Sequence, residues 1–237
     1  MKKHLKRLPA PRTWKLARKE FVWAYKPRPG PHPQARSLPL ASVLRDSLHL
    51  AEKAREAERV IFSRSILVDG RAVTDPKFPV GLMDVVTIGP TKANFRVMID
   101  TRGKLTLVPI DAAEAAWKLC RVEDRGTVTG GKAQLRLHDG RTVVLPKHEY
   151  ATGMTVKVAL PRQRILGALP LAQGHIALLT GGQHAGQLVH VDRVERTRNP
   201  RANLVHFKEG FSTVIDYVFV VGTETPEIRV PEGQAVA

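Results

Sequence analysis

The sequence predicts a multi-domain α+β protein, built from an extended basic arm and three small folded pieces. Three observations predict it. Two short stretches between residues 37 and 63 carry apolar residues at helical spacing, and β-like runs separated by Gly-containing turns follow, with one short helical interruption. The 237 residues hold 38 Lys/Arg against 22 Asp/Glu, a formal net charge of +16. That charge is uneven: residues 1–36 hold 11 Lys/Arg and one acid, residues 37–89 seven of each, residues 90–170 14 against seven, and residues 171–237 six against seven. The balance favours polyanion partners, nucleic acid first and anionic membrane second.

The arm, residues 1–36, reads MKKHLKRLPAPRTWKLARKEFVWAYKPRPGPHPQAR. Lys2, Lys3, Lys6, Arg7, Arg12, Lys15, Arg18 and Lys19 form a dense basic run, with Trp14, Phe21, Trp23 and Tyr25 interleaved. Such a segment repels itself and is expected to be largely disordered alone in water. Beside RNA the cations neutralise phosphates and the aromatics stack on bases. The alternative is a solvated tail whose aromatics dock on its own domain. The proline-rich run at residues 27–33 excludes regular secondary structure.

Residues 37–89 read as two helices and a hairpin. Leu40, Val43, Leu44 and Leu48 define the first helix, with Ser37 or Ser42 as its cap. In the second, about residues 52–63, Ala54, Ala57, Val60 and Ile61 share a stripe opposite Lys53, Arg55, Glu56 and Arg59. Ile66, Leu67 and Val68 form a strand before Asp69-Gly70, a two-residue type I′ signal. Residues 85–88 close the unit. So small a unit leans on a neighbour or a ligand.

Residues 90–170 read as a mainly antiparallel β domain with one helix. Two strands flank Arg102-Gly103; Asp111 and Glu114 set a capping box for a helix over residues 112–119; strands follow around Asp139-Gly140 and over residues 154–160. Lys132, Arg136, Arg141, Lys147 and Lys157 form either a basic face or scattered solubilising charge. Gly126 to Lys132 matches G-x-x-x-x-G-K, but Ala133 stands where a P-loop needs Ser or Thr, and a strand pattern follows where it needs a helix. In residues 171–230, two β runs flank a loop with Gly181, Gly182 and Gly186, whose freedom allows close approach of a partner. Arg193, Arg196, Arg198 and Arg201 supply positive charge there, and residues 231–237 are a tail.

Chemistry is sparse. The single Cys120 excludes internal disulfides and cysteine-cluster zinc sites. None of the nine histidines has H-x-x-x-H or H-E-x-x-H spacing, and no G-x-S-x-G occurs. No catalytic residue, metal, cofactor or small-molecule substrate is expected. No secretory apolar core opens the chain, and the longest stretch free of charged residues, 165–191, carries five glycines and Pro170, so no membrane partner is expected.

Several stretches resemble known families. Arg55-x-x-x-Arg59, Arg64 and ILVDGR resemble the α-L RNA-binding domain, which implies RNA contacts at Arg55, Arg59, Arg64, Asp69, Gly70 and Arg71. The glycine loop resembles a KOW motif in an SH3-like β-barrel, departing from it at Val189. KHLKRLPAPRTWKL, WKLCRVEDRGTVTGGKAQLRLHDGR and DYVFVVG are similar to the arm, central domain and C-terminal segment of the small-subunit ribosomal protein four-e family of archaea and eukaryotes. In that order they cover nearly all of residues 1–230. The resemblance implies a non-enzymatic constituent of the small subunit, in the cytoplasm, partnered by small-subunit ribosomal RNA and neighbouring ribosomal proteins. Candidate contacts include Lys132, Arg136, Gly181, Gly182, Gly186, Arg193 and Arg196 besides the arm and α-L residues. The rivals are a non-ribosomal RNA-binding regulator and an RNA-modifying enzyme. The latter resembles pseudouridine synthases and needs Gly-Arg-Leu-Asp, which neither Gly70-Arg71 nor Gly140-Arg141 continues into.

Overall fold

The computed structural model describes residues 4–147, 149–197 and 202–231. They form two compact units, residues 1–98 with 104–116 and residues 99–103 with 117–237. Lys2, Lys3, Arg198 and Arg201 lie outside the described residues.

In the first unit residues 4–36 of the arm are folded, which corrects the disorder expected there. Strand β1 (Leu5–Lys6) pairs with β2 (Trp23–Ala24). Arg18 gathers the loop between them, donating to the carbonyls of Leu8 at 3.0 Å, Ala10 at 2.8 Å and Pro11 at 2.8 Å. Trp14 is buried and bridges to Leu105. Hydrogen bonds from a charged donor contribute about 1.5–3 kcal/mol each, enough to offset the self-repulsion of a short basic segment.

Strand β3 (Ser37–Pro39) runs into α1 (Leu40–Ser42), which a π-helical turn over Val43–Ser47 continues. Pro39 stands at the N-cap, so neither expected serine caps this helix; the Ser37 hydroxyl donates to the Pro33 carbonyl at 3.0 Å instead. Helix α2 (Ala54–Phe62) buries Ala57 and Ile61, the stripe its spacing requires. Strands β4 (Ile66–Val68) and β5 (Arg71–Ala72) meet at Asp69 and Gly70, whose φ angles of 52° and 75° make the expected type I′ hairpin. Strand β6 (Pro79–Gly81) pairs with β3. β7 (Val85–Ile88), β8 (Ala93–Ile99) and β9 (Leu105–Ile110) complete a five-stranded sheet of order β5-β4-β7-β8-β9. Helix α3 covers only Ala112–Ala115, with no side-chain cap bond at Asp111. The helix expected to reach residue 119 stops early because Trp117 already pairs with Ala159 in a strand. Strand pairing outweighs an alanine-rich local signal.

The second unit holds two antiparallel sheets. Strands β10 (Trp117–Val128), β11 (Lys132–Leu137), β12 (Thr142–Leu145), β13 (Thr155–Ala159) and β14 (Ile165–Leu169) are ordered β12-β11-β10-β13-β14. Cys120, Val122, Leu135, Leu137, Val156 and Val158 form one core cluster. The strand that starts at Lys132 occupies the place where a P-loop needs a helix.

Strands β15 (Ile176–Leu179), β16 (Leu188–Glu195), β17 (Leu204–Phe207), β18 (Ser212–Val214) and β19 (Val218–Gly222) follow the order β18-β17-β16-β15-β19. Among the described residues this ladder stays open, so the closed SH3-like barrel expected here is not found. β18 is three residues long and runs directly into a 3₁₀ turn at Ile215–Tyr217, after which β19 pairs with β15. Arg121 of β10 ties the two sheets together, donating to the carbonyls of Asp216 at 2.6 Å and Val218 at 3.1 Å. No helix among the described residues is long and apolar enough to cross a membrane.

Candidate nucleic-acid interface

Helix α2 carries two arginines, Arg55 and Arg59, beside two carboxylates, Glu56 and Glu58. Arg55 and Arg59 are both exposed and one turn apart, and Phe62, 60 % exposed, continues the same stripe. The helix start is fixed by Glu56, whose carboxylate accepts from the backbone N–H of Glu52 at 3.0 Å and Lys53 at 3.2 Å. Those bonds, Lys53 before Glu52, hold Glu56 below the usual carboxylate range, with the charges of Lys53 and Arg59 adding to them.

A depressed carboxylate stabilises the fold above its unfolded pKa and loses that contribution as pH falls through the folded value. Glu56→Gln is therefore expected to lower the urea midpoint of the first unit near pH 7. The difference should vanish in acid below the carboxylate range. Equal midpoints at both pH values would contradict this role for Glu56.

Past α2, Arg64 takes the left-handed conformation that ends helices, φ 58°, with its side chain exposed. Gly70 and Arg71 are exposed at the hairpin, but Asp69 is buried, its carboxylate accepting the Val85 N–H at 3.0 Å. Asp69 thus holds the turn in shape and presents Gly70 and Arg71.

Within the arm, Lys6, Arg12, Lys15 and Lys19 are exposed and Arg18 is half-buried. Arg7 and Trp14 point inward, 2 % and 1 % exposed. Arg7 meets Asp46 at 3.3 Å and donates to the Ala17 carbonyl at 2.8 Å. Tyr25 seats the arm on α2, its hydroxyl donating to Glu58 at 3.0 Å. Burial first, then the Glu58 carboxylate, pushes the Tyr25 pKa up to about 12, so the phenol remains a donor at neutral pH.

In the second unit, Lys132 and Arg136 face outward from β11. Arg136 lies 3.6 Å from Asp124 across the ladder, Arg141 is 3.1 Å from Asp139, and Lys157 is 2.8 Å from Glu227, so much of the central charge is paired locally. Arg193 and Arg196 are exposed on and just beyond β16. Of the loop glycines, Gly182 is exposed, while Gly181 and Gly186 serve the chain's own packing. A Cβ on Gly181 would meet the Tyr217 ring, and one on Gly186 would overlap the Asp100 backbone carbonyl.

Sequence reasoning missed the buried cations. Arg7, Arg96, Lys118 and Arg121 are all nearly or wholly out of solvent. Lys118 Nζ lies 2.7 Å from Asp139 Oδ2. Cys120, His138 and Asp139 bring potential ligand atoms within 4.8 Å of one another. A metal does not fit there, because Lys118 and Arg141 already place two positive charges on the Asp139 carboxylate. Burial raises Asp139, but Lys118, His138 and Arg141 together hold it below the usual carboxylate range.

Exposed cations on small ordered elements suit a polyanion, and among the described residues no nucleophile, base and electrophile are assembled for catalysis. Comparison with known proteins agrees. Residues 91–165 match the model described as Ribosomal family S4e, residues 1–35 the RS4NT domain and residues 38–86 the S4 domain. The small ribosomal subunit protein eS4 of Methanothermobacter thermautotrophicus is 43 % identical over 237 residues, covering 98 % of each chain. That of Ignicoccus hospitalis is 42 % identical, covering 98 % of this chain and 96 % of its own. The crystal structure of the 30S ribosomal protein S4e from Thermoplasma acidophilum superposes with a TM-score of 0.71 at 35 % identity, over 79 % of this chain and 96 % of that one. With relatives this similar over their whole length, the chain belongs to the ribosomal family S4e.

Proposed function

We propose that this protein is a structural constituent of the small ribosomal subunit, in the cytoplasm, and that it holds small-subunit ribosomal RNA through phosphate and shape contacts. It performs no chemistry. The observation that carries the reading is full-length similarity to small ribosomal subunit proteins, together with an S4 domain whose arginines face outward. Arg55, Arg59, Arg64 and Arg71 make the principal contacts, and Lys6, Arg12, Lys15 and Lys19 of the arm add to them. Lys2, Lys3 and Arg18 extend the arm's share. Lys132, Arg136, Arg193 and Arg196 provide the second unit's contacts, and the exposed part of the glycine loop around Gly182 serves as a KOW-like approach point. Arg7, Trp14, Asp69 and Gly186 act indirectly, by shaping the surfaces that touch RNA. Neighbouring ribosomal proteins cover part of the remaining surface.

Contacts of this kind neutralise phosphates and release counterions, so the logarithm of the binding constant falls linearly with the logarithm of salt concentration. The test is binding of the full chain to protein-free small-subunit ribosomal RNA across a salt series. A steep linear decline is expected. Absent or salt-independent binding would overturn the reading.

A further inference from the structure

A cleft of about 470 Å³ opens in the first unit between the arm and the π-helical turn, lined by residues that include Phe21, Lys15, Arg45, His49 and Glu52. Its aromatic wall is preorganised. Phe21 is 66 % exposed, yet the Arg7 guanidinium stands 4.9 Å from its ring centroid. Arg7 is itself held by Asp46 and the Ala17 carbonyl, so a buried guanidinium backs a ring that faces solvent. Exposing an aromatic costs apolar burial, and pinning it as well is the arrangement of a stacking platform.

The other wall is built from unusual backbone. The π-helical turn carries Arg45, which forms two bonds to Asp46 at 3.0 and 2.9 Å, and His49 sits at φ 53°. Both features concentrate at functional sites. The charge is mixed: Lys15 offers an exposed ammonium, while Glu20 and Glu52 offer exposed carboxylates. A groove for phosphate alone gains nothing from a carboxylate, and a groove for an apolar peptide gains nothing from either. One nucleotide uses all three: a plane for the base, a cation for the phosphate, and an acceptor for N–H donors on the base edge.

We propose that this cleft takes a single unpaired nucleotide of the bound RNA, with its base stacked on Phe21, its phosphate at Lys15 and its amino-bearing edge toward Glu52. The assignment rests on the RNA-binding reading and adds recognition of one base to contacts that otherwise address the backbone. Stacking releases no counterions, so its loss has a signature distinct from loss of a cation.

The experiment uses the full chain and transcribed small-subunit ribosomal RNA. Phe21→Ala is expected to weaken binding about tenfold with the salt slope unchanged. Phe21→Trp, which keeps a plane, should restore it, and Phe21→Leu, which keeps apolar volume without a plane, should not. Ultraviolet irradiation of the wild-type complex should leave a nucleotide on the peptide that contains Phe21. Wild-type binding that Phe21→Ala and Phe21→Leu both match, with no adduct at that peptide, would overturn the cleft while leaving the RNA reading in place. If the wild type binds no RNA at all, the RNA reading falls and the cleft assignment falls with it.

Discussion

Lys118→Met is expected to destabilise the second unit by about 3–5 kcal/mol, the usual cost of removing one partner from a buried ion pair. Lys118 is fully buried and Asp139 is 2 % exposed, 2.7 Å away. Methionine matches the lysine stem in shape, so the loss comes from leaving a buried carboxylate without its nearest cation, with Arg141 and His138 still beside it. Asp139→Asn added to Lys118→Met removes the stranded charge and should recover most of the loss. A double-mutant cycle in urea separates that coupling from side effects of either change.

The pH dependence has a definite sign. Asp139 titrates below the usual carboxylate range in the parent, so the pair's contribution is present above that range and fades as pH falls through the depressed value. Without Lys118, burial raises the carboxyl instead, and protonating it relieves the penalty. The gap between parent and Lys118→Met should therefore narrow in acid. A variant as stable as the parent near pH 7, or a gap indifferent to pH, would show that the pair does not support this sheet.

The second large effect is on binding. Arg55→Ala with Arg59→Ala is expected to weaken association with small-subunit ribosomal RNA roughly 10- to 100-fold at moderate salt, and to make the salt slope shallower by about two. Both side chains are exposed on α2, and alanine is the best helix former, which offsets the small loss of the Arg59 charge near Glu56, so thermal unfolding should change little. That separates a lost contact from a lost fold. Unchanged affinity and slope in the double variant would remove the α2 face from the account.

Local signals in the sequence were reliable where the physics was local. The α2 stripe followed from apolar spacing at Ala57 and Ile61, and the hairpin at Asp69 and Gly70 followed from the demand for positive φ at both positions. The G-x-x-x-x-G-K decoy was exposed by the strand pattern after Lys132. What depended on distant partners was not legible. Arg7 and Asp46 are 39 positions apart, and Lys118 finds Asp139 only because β10 and β11 lie side by side. Counting charges could not show which cations are spent inside the protein.

The same limit explains the arm and the C-terminal sheet. Arg18 folds its own loop by collecting carbonyls that no hydrophobic pattern marks. Closure of the last sheet depends on which strand β19 pairs with, and it pairs with β15. The loop glycines illustrate the ambiguity directly: Gly182 is open to a partner, while Gly186 is required by Asp100 of the same chain.

The most direct test of the central claim is sedimentation of cell lysate through sucrose gradients at low and high salt, with fractions probed for this chain. A structural constituent is predicted to travel with the small subunit and to remain there after the high-salt wash. Recovery at the top of the gradient, or release at modest salt, would contradict it and mark the protein as a transient RNA-binding factor.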